Sequence, residues 1–332
     1  MKALGKRITN ILKYILLFAL AGLLVYFAFR KVEWGAFLDG LRQTRWFWVV
    51  LFCIASASAL VLRTIRWREL LSPFDDKLSF IKIWDAINIG NLASTALPSS
   101  GELLRCGLVS SKKLEYDKSL GTMLCERLWD FLALVVLAVA AMILGWHRFG
   151  TYFEENVFRP LTSNTAFWWI LAAVAAVVAA FIIVVFRLKD RSVLCSKIAG
   201  SISRLWAGIT VFSKSKNKLL VAITTLLLWM VYVIMCYCII KAMPMLEGLD
   251  FVDALFFSMM GNIASVIPVP GGIGAYHYLV ATAVGVYGYS WDIGILYATL
   301  NHEIHAVLII IIGLVSYLHT ISVRHDRTTD VN

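Results

Sequence analysis

GNIASVIPVPGGIGAYH, residues 261–277, interrupts a segment that is otherwise apolar enough to cross a membrane. Pro268 and Pro270 lack the amide proton that an α-helix needs, and the glycines beside them allow backbone conformations closed to other residues. Non-helical backbone leaves N–H and C=O groups unpaired, which costs several kcal/mol for each group that faces lipid. Because such a break is tolerated only inside protein or beside a wet cavity, this stretch is the first candidate for a functional site.

A second stretch, GNLASTALPSSGE at residues 90–102, resembles the first. Both contain Gly-Asn, an apolar residue and Ala-Ser, and then a proline followed three residues later by a glycine. Internal repeats are a primary guide to how a chain is organised. Chance similarity between two segments rich in small residues is the alternative, but the aligned proline and glycine favour a repeat.

The composition is typical of a polytopic membrane protein. Hydrophobic residues make up 60% of the 332 residues and charged residues 16%, with a mean hydropathy of +0.78. Soluble domains have roughly 45–50% apolar and about 25% charged residues. The six cysteines show no metal-binding spacing and predict no disulfide. The basic and then apolar N-terminus predicts a retained first helix and not a cleaved signal peptide.

A membrane-spanning helix requires about 20 mainly apolar residues. The segments that meet this requirement are residues 12–29, 46–62, 121–145, 166–186, 219–241 and 293–318. Two further segments, 79–111 and 253–288, each predict a helix, a Pro/Gly break and a second helix, so that the segment re-enters the membrane. The predicted fold is an all-α polytopic membrane protein with a single integral membrane domain over residues 1–332.

The placement of lysine and arginine predicts the orientation, because cytoplasmic loops carry more of them. With both termini in the cytoplasm, most of the 31 basic residues fall on that side, and the first outer loop is the exception. Three full spans then separate the two broken segments, so these enter from opposite sides. The sequence therefore predicts inverted repeat units at about 12–145 and 166–318, an arrangement found in many secondary transporters.

Residues 187–218 have apolar side chains at helical spacing with basic residues between them. This pattern predicts an amphipathic helix on the inner leaflet, where anionic lipid attracts each basic residue by about 1 kcal/mol. The alternative is an ordinary positively charged loop that only fixes topology.

Charged residues inside predicted spans are candidates for chemistry, because they are costly in a membrane and usually functional. Glu126 and Asp130 share one face of span 121–145 and repel each other. A cation must therefore approach from elsewhere, and Arg105 is the nearest one in sequence. Arg127 points to another side of the helix and could pair with Glu102. The alternative to a substrate site is a buried ion network that locks the first broken segment to this span.

In the second copy, the residue aligned with Asp130 is Glu303, which lies between His302 and His305. This spacing is not that of the HExxH zinc motif. These residues and His277 could bind zinc, but membrane histidines more often bond to carbonyl groups or carry protons, and no metal or other cofactor is predicted. No catalytic triad, dinucleotide-binding motif or P-loop occurs. The basic residues follow membrane topology, so nucleic acid is not a predicted partner.

Three stretches resemble, in order, the motif regions of the flippase-like membrane domain family, also called the lysylphosphatidylglycerol synthase transmembrane region. They are PSSGELLR (98–105), ERLWD (126–130) and PVPGGIGAYH (268–277). In the bifunctional members such a domain precedes a soluble aminoacyl-transfer domain and is implicated in moving the lipid. We expect a stand-alone member without that domain, so the resemblance implies translocation and not synthesis. Many members have a glutamate where this chain has His277.

Related membrane regions accompany glycosyltransferases of polyprenol-linked pathways, which widens the cargo that the resemblance implies. We therefore predict an inner-membrane protein that translocates a membrane lipid with an anionic headgroup, a phospholipid or a polyprenyl phosphate. Arg105 and Arg127 would meet the phosphate, and free amides at the two breaks would add positive partial charge. The predicted substrate-binding residues are Ser99, Ser100, Gly101, Glu102, Arg105, Arg127, Gly271, Gly272 and Gly274. The predicted charge-network or proton-coupling residues are Glu126, Asp130, His277, His302, Glu303 and His305.

Two other functions remain open. The first is a membrane-embedded lipid-modifying enzyme that uses the cluster His302, Glu303 and His305, although the sequence favours a transporter over an enzyme. The second is a subunit that does not transport but positions a partner of lipid biosynthesis. A homo-oligomer is also compatible with the sequence.

Overall fold

The structure is a computed structural model, and it describes residues 19–329 apart from 20–21, 31, 99, 189–192, 216, 266 and 268. The described part is helical and contains no strand, which confirms the predicted all-α class. The helices are α1 (22–29), α2 (Trp34–Arg42), α3 (Trp46–Leu71), α4 (Phe80–Ala96), α5 (Ser100–Val109), α6 (Tyr116–Phe153), α7 (Arg159–Ser163), α8 (Thr165–Leu188), α9 (Val193–Ile209), α10 (Val211–Lys214), α11 (Lys218–Ala242), α12 (Phe251–Ala264), α13 (Ala275–Gly285) and α14 (Trp291–Thr329).

Four helices of the described part, α3, α6, α11 and α14, are long and apolar enough to cross a membrane. They contain the predicted spans 46–62, 121–145, 219–241 and 293–318. The predicted span 166–186 coincides with α8, whose 24 residues extend about 36 Å. Half of the first predicted span, 12–29, lies outside the described residues, and residues 22–29 of it form α1. The chain is a multi-pass membrane protein.

Helix α3 continues past the predicted end of its span, at residue 62, to Leu71. Arg63 and Arg66 lie beyond the predicted span but on the same helix. Arg66 is completely buried. Its guanidinium binds carboxylates of α6 at 2.7 Å, so the helix continues through charged residues that would end a span facing lipid.

The segment 79–111 forms a hairpin in which α4 and α5 pack against each other. The two arms are closest at Gly90 and Gly101. A Cβ on Gly90 would lie 2.7 Å from the carbonyl oxygen of Gly101, and a Cβ on Gly101 would overlap the carbonyl oxygen of Gly90. Only glycine fits at this contact, because any side chain would push the two backbones apart.

The segment 253–288 forms a second hairpin, from α12 and α13. A 3-10 turn at Pro270–Gly272 follows the break. Gly271 and Gly274 have positive φ values of 61° and 84°, which glycine adopts at little cost. A Cβ on Gly261, the counterpart of Gly90, would lie 2.7 Å from the ring of Tyr276. In both hairpins, therefore, the first glycine of the repeated motif permits the close approach of the second arm.

The tips of the two hairpins meet. A Cβ on Gly271 would lie 3.5 Å from the carbonyl oxygen of Thr95, near the end of α4. Helix α14 packs along α4, and a Cβ on Gly313 would lie 2.9 Å from the carbonyl oxygen of Asn88. Helix α3 packs against both α4 and α11. The interpretation of the two units as inverted copies stays a prediction.

Arg148 on α6 holds the start of the second hairpin. Asp250 and Asp253 form a capping box at the N-terminus of α12. The guanidinium of Arg148 lies 2.9 Å from the carboxylates of both residues. The hydrogen bond from Arg148 lowers the pKa of Asp250. The two ion pairs hold the start of α12 against α6.

The predicted interfacial segment, 187–218, contains α9 and α10, while residues 189–192 and 216 lie outside the described part. Helix α9 packs against α6 and α8. The ring of Phe212 on α10 lies 4.7 Å from the ring of Trp129 on α6. A helix is thus present where the amphipathic pattern predicted one, and its position on the inner leaflet stays a prediction.

Candidate functional site

A cavity of about 620 Å³ lies between the hairpin tips and the spans α3, α6, α11 and α14. Residues of the repeated motif line it from both hairpins: Asn91, Ser94, Thr95 and Pro98 from the first, and Gly261, Asn262, Ser265 and Gly271 from the second. Phe131 and Leu134 of α6 and Ile309 of α14 add apolar walls. The cavity is therefore where the two copies of the motif come together, with polar groups and apolar surface side by side.

A group of charged residues, here called the arginine network, borders this cavity. Its members are Arg63 and Arg66 of α3, Glu102 and Arg105 of α5, and Glu126, Arg127 and Asp130 of α6. Four guanidinium groups thus accompany three carboxylates within the network. Its formal charge is +1, because arginine stays protonated in proteins.

Glu126 is the centre of the network and is completely buried. Its two oxygens each lie 2.7 Å from a guanidinium nitrogen, one of Arg66 and the other of Arg105. Arg63 and Arg127 each approach it to 3.9 Å. A buried carboxylate needs such partners, because the cost of removing a charge from water is large. Glu126 therefore joins α3, α5 and α6.

Arg105 is fixed from three directions. Besides its bond to Glu126, its Nε donates to Glu102 at 2.9 Å. Its guanidinium lies 4.4 Å from the ring of Trp67, a cation–π geometry. The indole N–H of Trp67 in turn donates to the hydroxyl of Thr122 at 3.1 Å. The side chain of Arg105 is 2% exposed, so α5 is locked to α3 and α6 at this residue.

Two ion pairs predicted from the sequence are confirmed. Arg105 binds Glu126, and Arg127 lies 3.6 Å from Glu102. The sequence missed Arg66, which binds both Glu126 and Asp130 at 2.7 Å. The signal was present as Arg63-Thr-Ile-Arg66, since a spacing of three places both arginines on one side of a helix.

Exposure separates the arginines into two pairs. Arg66 and Arg105 are buried, and neither lines the cavity. The side chains of Arg63 and Arg127 are 16% and 43% exposed, and both line the cavity. The prediction that Arg105 meets a headgroup stays a prediction, and in this conformation Arg63 and Arg127 are the arginines that a ligand can reach. Asp130 also lines the cavity.

The predicted binding residues at the first break contribute to the hairpin itself. Ser99 lies outside the described residues. The hydroxyl of Ser100 donates to the carbonyl of Leu97 at 2.8 Å, and the amide of Gly101 donates to the hydroxyl of Ser94 at 3.2 Å. These groups are therefore engaged within the hairpin in this conformation.

The glycines of the second break are placed differently. Gly271 and Gly272 line the cavity. Gly274 packs against α1, since a Cβ there would lie 2.6 Å from the backbone nitrogen of Val25. Gly271 and Gly272 can thus face a ligand, while Gly274 holds the turn against the first helix.

His277, His302 and Glu303 form a second polar group, here called the histidine–glutamate cluster. Nε2 of His302 donates to the carbonyl oxygen of Gly271 at 2.8 Å, and Nδ1 of the same ring lies 3.0 Å from Oε1 of Glu303. Nε2 of His277 lies 3.7 Å from that oxygen. The cluster therefore connects α13, α14 and the glycine turn.

His305 does not belong to this cluster. Its Nδ1 lies 2.6 Å from the hydroxyl of Ser56 on α3. The trio of His302, Glu303 and His305 that the sequence suggested as an enzymatic site is thus not brought together, and His277 takes the third position. His302 and His305 both line the cavity.

A further pair, which the sequence did not single out, joins α14 to α4. Nδ1 of His319 lies 2.7 Å from Oδ2 of Asp85. The two residues lie 234 positions apart, so no local pattern could have indicated the contact. This pair adds a polar contact to the packing of α14 on the first hairpin.

The model of the lysylphosphatidylglycerol synthase TM region family matches residues 14–313. This chain belongs to that family. The match confirms, over nearly the whole chain, the resemblance carried by the three motif regions. Comparisons with curated proteins and with solved structures found no match.

Membership in this family indicates a role related to membrane lipids. The three motif regions that carried the resemblance occupy defined places in the fold. The first forms the tip and start of α5, the second carries the acidic centre of the arginine network, and the third forms the glycine turn and the start of α13. The family motifs therefore surround the cavity.

Proposed function

We propose that this family member moves an amphiphile with an anionic headgroup, a phospholipid or a polyprenyl phosphate, across the membrane by way of the cavity. The observation that carries the proposal is the pair Arg63 and Arg127, which line a cavity between apolar spans beside a network of formal charge +1. An uncompensated positive charge at membrane depth is costly. A bound anion would offset that cost.

The chemistry of these two side chains suits a phosphate. A guanidinium group offers paired N–H donors that match two oxygens of a phosphate. Arg127 is held by Asp130 at 3.2 Å, and Arg63 touches the repeat residue Asn91 at 3.5 Å. Each guanidinium group is therefore oriented by a neighbouring side chain and is still partly exposed to the cavity. Phe131 and Leu134 line the same cavity and offer apolar surface to an acyl or prenyl chain.

The proposal includes an inner-membrane location with both termini in the cytoplasm. It is supported by the concentration of lysine and arginine on the segments assigned to that side. A lipid-biosynthesis partner or a second copy of the chain could deliver the cargo to the cavity.

Reconstitution of the full chain in vesicles tests the proposal. The vesicles contain a fluorescent anionic phospholipid, and an impermeant quencher reports the fraction in the outer leaflet. We expect the wild-type protein to make the inner-leaflet pool accessible and the Arg127→Gln variant to do so more slowly. Arg42→Gln is the matched control, because the side chain of Arg42 is 80% exposed and does not line the cavity.

Mass spectrometry of the same vesicles separates the proposal from its rivals. A transporter leaves the covalent structure of the lipid unchanged. A new lipid product that depends on His302 or Glu303 would identify an enzyme. A protein that binds anionic lipid but leaves its leaflet distribution unchanged would indicate a non-transporting subunit. Identification of the lipid that copurifies with the protein would name the cargo.

A further inference from the structure

The hydrogen bond between His302 and Gly271 determines which ring nitrogen of the histidine carries a proton. A carbonyl oxygen only accepts, so Nε2 of His302, 2.8 Å from the oxygen of Gly271, carries the proton. In a neutral ring, Nδ1 then has a free lone pair. That nitrogen lies 3.0 Å from Oε1 of Glu303. A lone pair therefore faces a carboxylate oxygen, an arrangement that requires a cation or a proton between them.

His277 directs a second nitrogen to the same point. Its Nε2 lies 3.7 Å from Oε1 of Glu303, and its side chain is 1% exposed. Its Nδ1 is buried and has no hydrogen-bond partner among the described residues. A buried imidazole of this kind is costly unless the nitrogen that faces Glu303 gains a closer partner than an oxygen at 3.7 Å.

Glu303 lacks the partners that acidic residues have in the arginine network. Within the described part of the chain, its ion pairs are with His277 and His302, and no lysine or arginine lies within 4.0 Å. Glu303 nevertheless lies on α14, one of the helices apolar enough to cross the membrane. A carboxylate in such a helix is costly and is usually paired, and the side chain of Glu303 is 41% exposed.

We propose that His277, His302 and Glu303 bind one divalent cation of the zinc type. One ligand atom from each residue lies within 4.8 Å of the others. Zinc holds imidazole nitrogens at about 2.0–2.1 Å in tetrahedral geometry, which separates neighbouring ligand atoms by roughly 3.3 Å. The separations of 3.0 and 3.7 Å from Glu303 bracket this value.

The carbonyl of Gly271 completes the site as an outer partner. Histidine ligands of metals usually donate their second N–H to a carbonyl or carboxylate, which orients the ring. His302 makes that bond. Two histidines and one carboxylate leave a fourth position for water, and His302 also lines the cavity.

A bound ion would tie the second hairpin to α14. It would join the start of α13 to the middle of α14 and, through Gly271, to the glycine turn. It would also neutralise Glu303 inside an apolar helix. The inference does not depend on the identity of the cargo or on transport.

Zinc titration of the purified full chain tests the site. The protein is first treated with a chelator, and its affinity for Zn²⁺ is measured by competition with a chromophoric chelator. We expect one Zn²⁺ per chain. Glu303→Gln and His277→Phe should each weaken binding by at least roughly tenfold, since even the loss of an outer partner costs that much. Phenylalanine keeps the packing of the ring at position 277 against Phe29.

His305→Gln is the matched control. His305 lies on the same helix and lines the cavity but bonds to Ser56, so its loss should leave zinc affinity unchanged. Gel filtration confirms that each variant is folded. Replacement of zinc by Co²⁺ supplies a second readout, because a tetrahedral site with nitrogen ligands gives visible absorption that Glu303→Gln should abolish.

Several results would overturn the proposal. If the wild-type protein bound no Zn²⁺, that result alone would overturn it. Equal zinc affinities for the wild type, Glu303→Gln and His277→Phe would place the ion elsewhere. Binding of Mg²⁺ as tight as that of Zn²⁺ would exclude a site built on imidazole nitrogens. Because no lipid is present, failure here is distinguishable from failure of transport.

Discussion

Arg66 and Glu126 are both completely withdrawn from solvent, and Nη2 of the arginine lies 2.7 Å from Oε1 of the glutamate. The two residues come from α3 and α6, 60 positions apart. Arg105 brings α5 to the other oxygen of the same carboxylate. The first hairpin is thus attached to the spans by charge as well as by apolar packing.

Arg66→Leu should strongly destabilise the protein. The substitution removes a partner at 2.7 Å from both Glu126 and Asp130, and breaking a buried ion pair in this way costs about 3–5 kcal/mol. Thermal melting of the detergent-solubilised protein measures the loss. Arg42→Leu, at an exposed pair, should change stability by about 0–1 kcal/mol. If Arg66→Leu melted like wild type, the network would have no structural role.

Arg105→Lys and Arg127→Lys should have opposite effects. Lysine cannot bond to Glu102 and Glu126 while stacking on Trp67, so Arg105→Lys should lower the melting temperature and leave binding of anionic lipid nearly unchanged. Arg127 is 43% exposed in the cavity, so Arg127→Lys should melt normally and bind the lipid more weakly, by about 1.5–3 kcal/mol for a charge-assisted hydrogen bond.

Melting beside lipid-binding titration for both variants decides between these roles. An Arg105→Lys protein that melts normally but binds the lipid poorly would indicate that Arg105 contacts the headgroup. An Arg127→Lys protein that binds normally would remove Arg127 from it.

Gly101→Ala should open the first hairpin, because its Cβ would overlap the carbonyl oxygen of Gly90. We expect a lower melting temperature and loss of transport. Gly107→Ala is the control in the same helix. Its Cβ would find no atom closer than 3.9 Å, so alanine should stabilise α5 by up to about 1 kcal/mol through helix propensity. Equal behaviour of the two variants would contradict the close contact.

The inverted arrangement predicts opposite labelling of two serines. With the six native cysteines replaced, Ser111→Cys, which follows α5, should react with an impermeant thiol reagent only from the cytoplasmic side. Ser290→Cys, which precedes α14, should react only from outside. Both positions are exposed, so access is limited by the membrane alone. Labelling of both from one side would exclude inverted units.

The helices and their breaks could be predicted from the sequence because proline and glycine act locally. Pro98 and Gly101, and Pro270 and Gly271, mark the two breaks in the chain and in the structure alike. The end of α3 could not be predicted from hydropathy, which falls at Arg63. The helix continues there because Glu126, distant in sequence, neutralises Arg66.

The members of the histidine–glutamate cluster could not be predicted from local sequence spacing either. His302 and His305 are three residues apart, which suggested a shared site. The structure turns His302 to Gly271 and His305 to Ser56, so contacts with different helices separate them. His277 joins the cluster through the fold of the glycine turn, which residue spacing does not encode.

The two hairpins are attached at the cavity by different contacts, so we expect the wall formed by the glycine turn to move more readily than the wall formed by α5. Displacing α5 would pull Arg105 from Glu126 and strand charges away from water, at several kcal/mol for each pair. Displacing the glycine turn would break the bond between His302 and Gly271, whose loss costs about 0.5–1.5 kcal/mol. Arg148 holds the start of α12, so in the second hairpin it is the glycine turn that we expect to yield; under the proposed function, the headgroup would bind beside the first hairpin and leave past this turn.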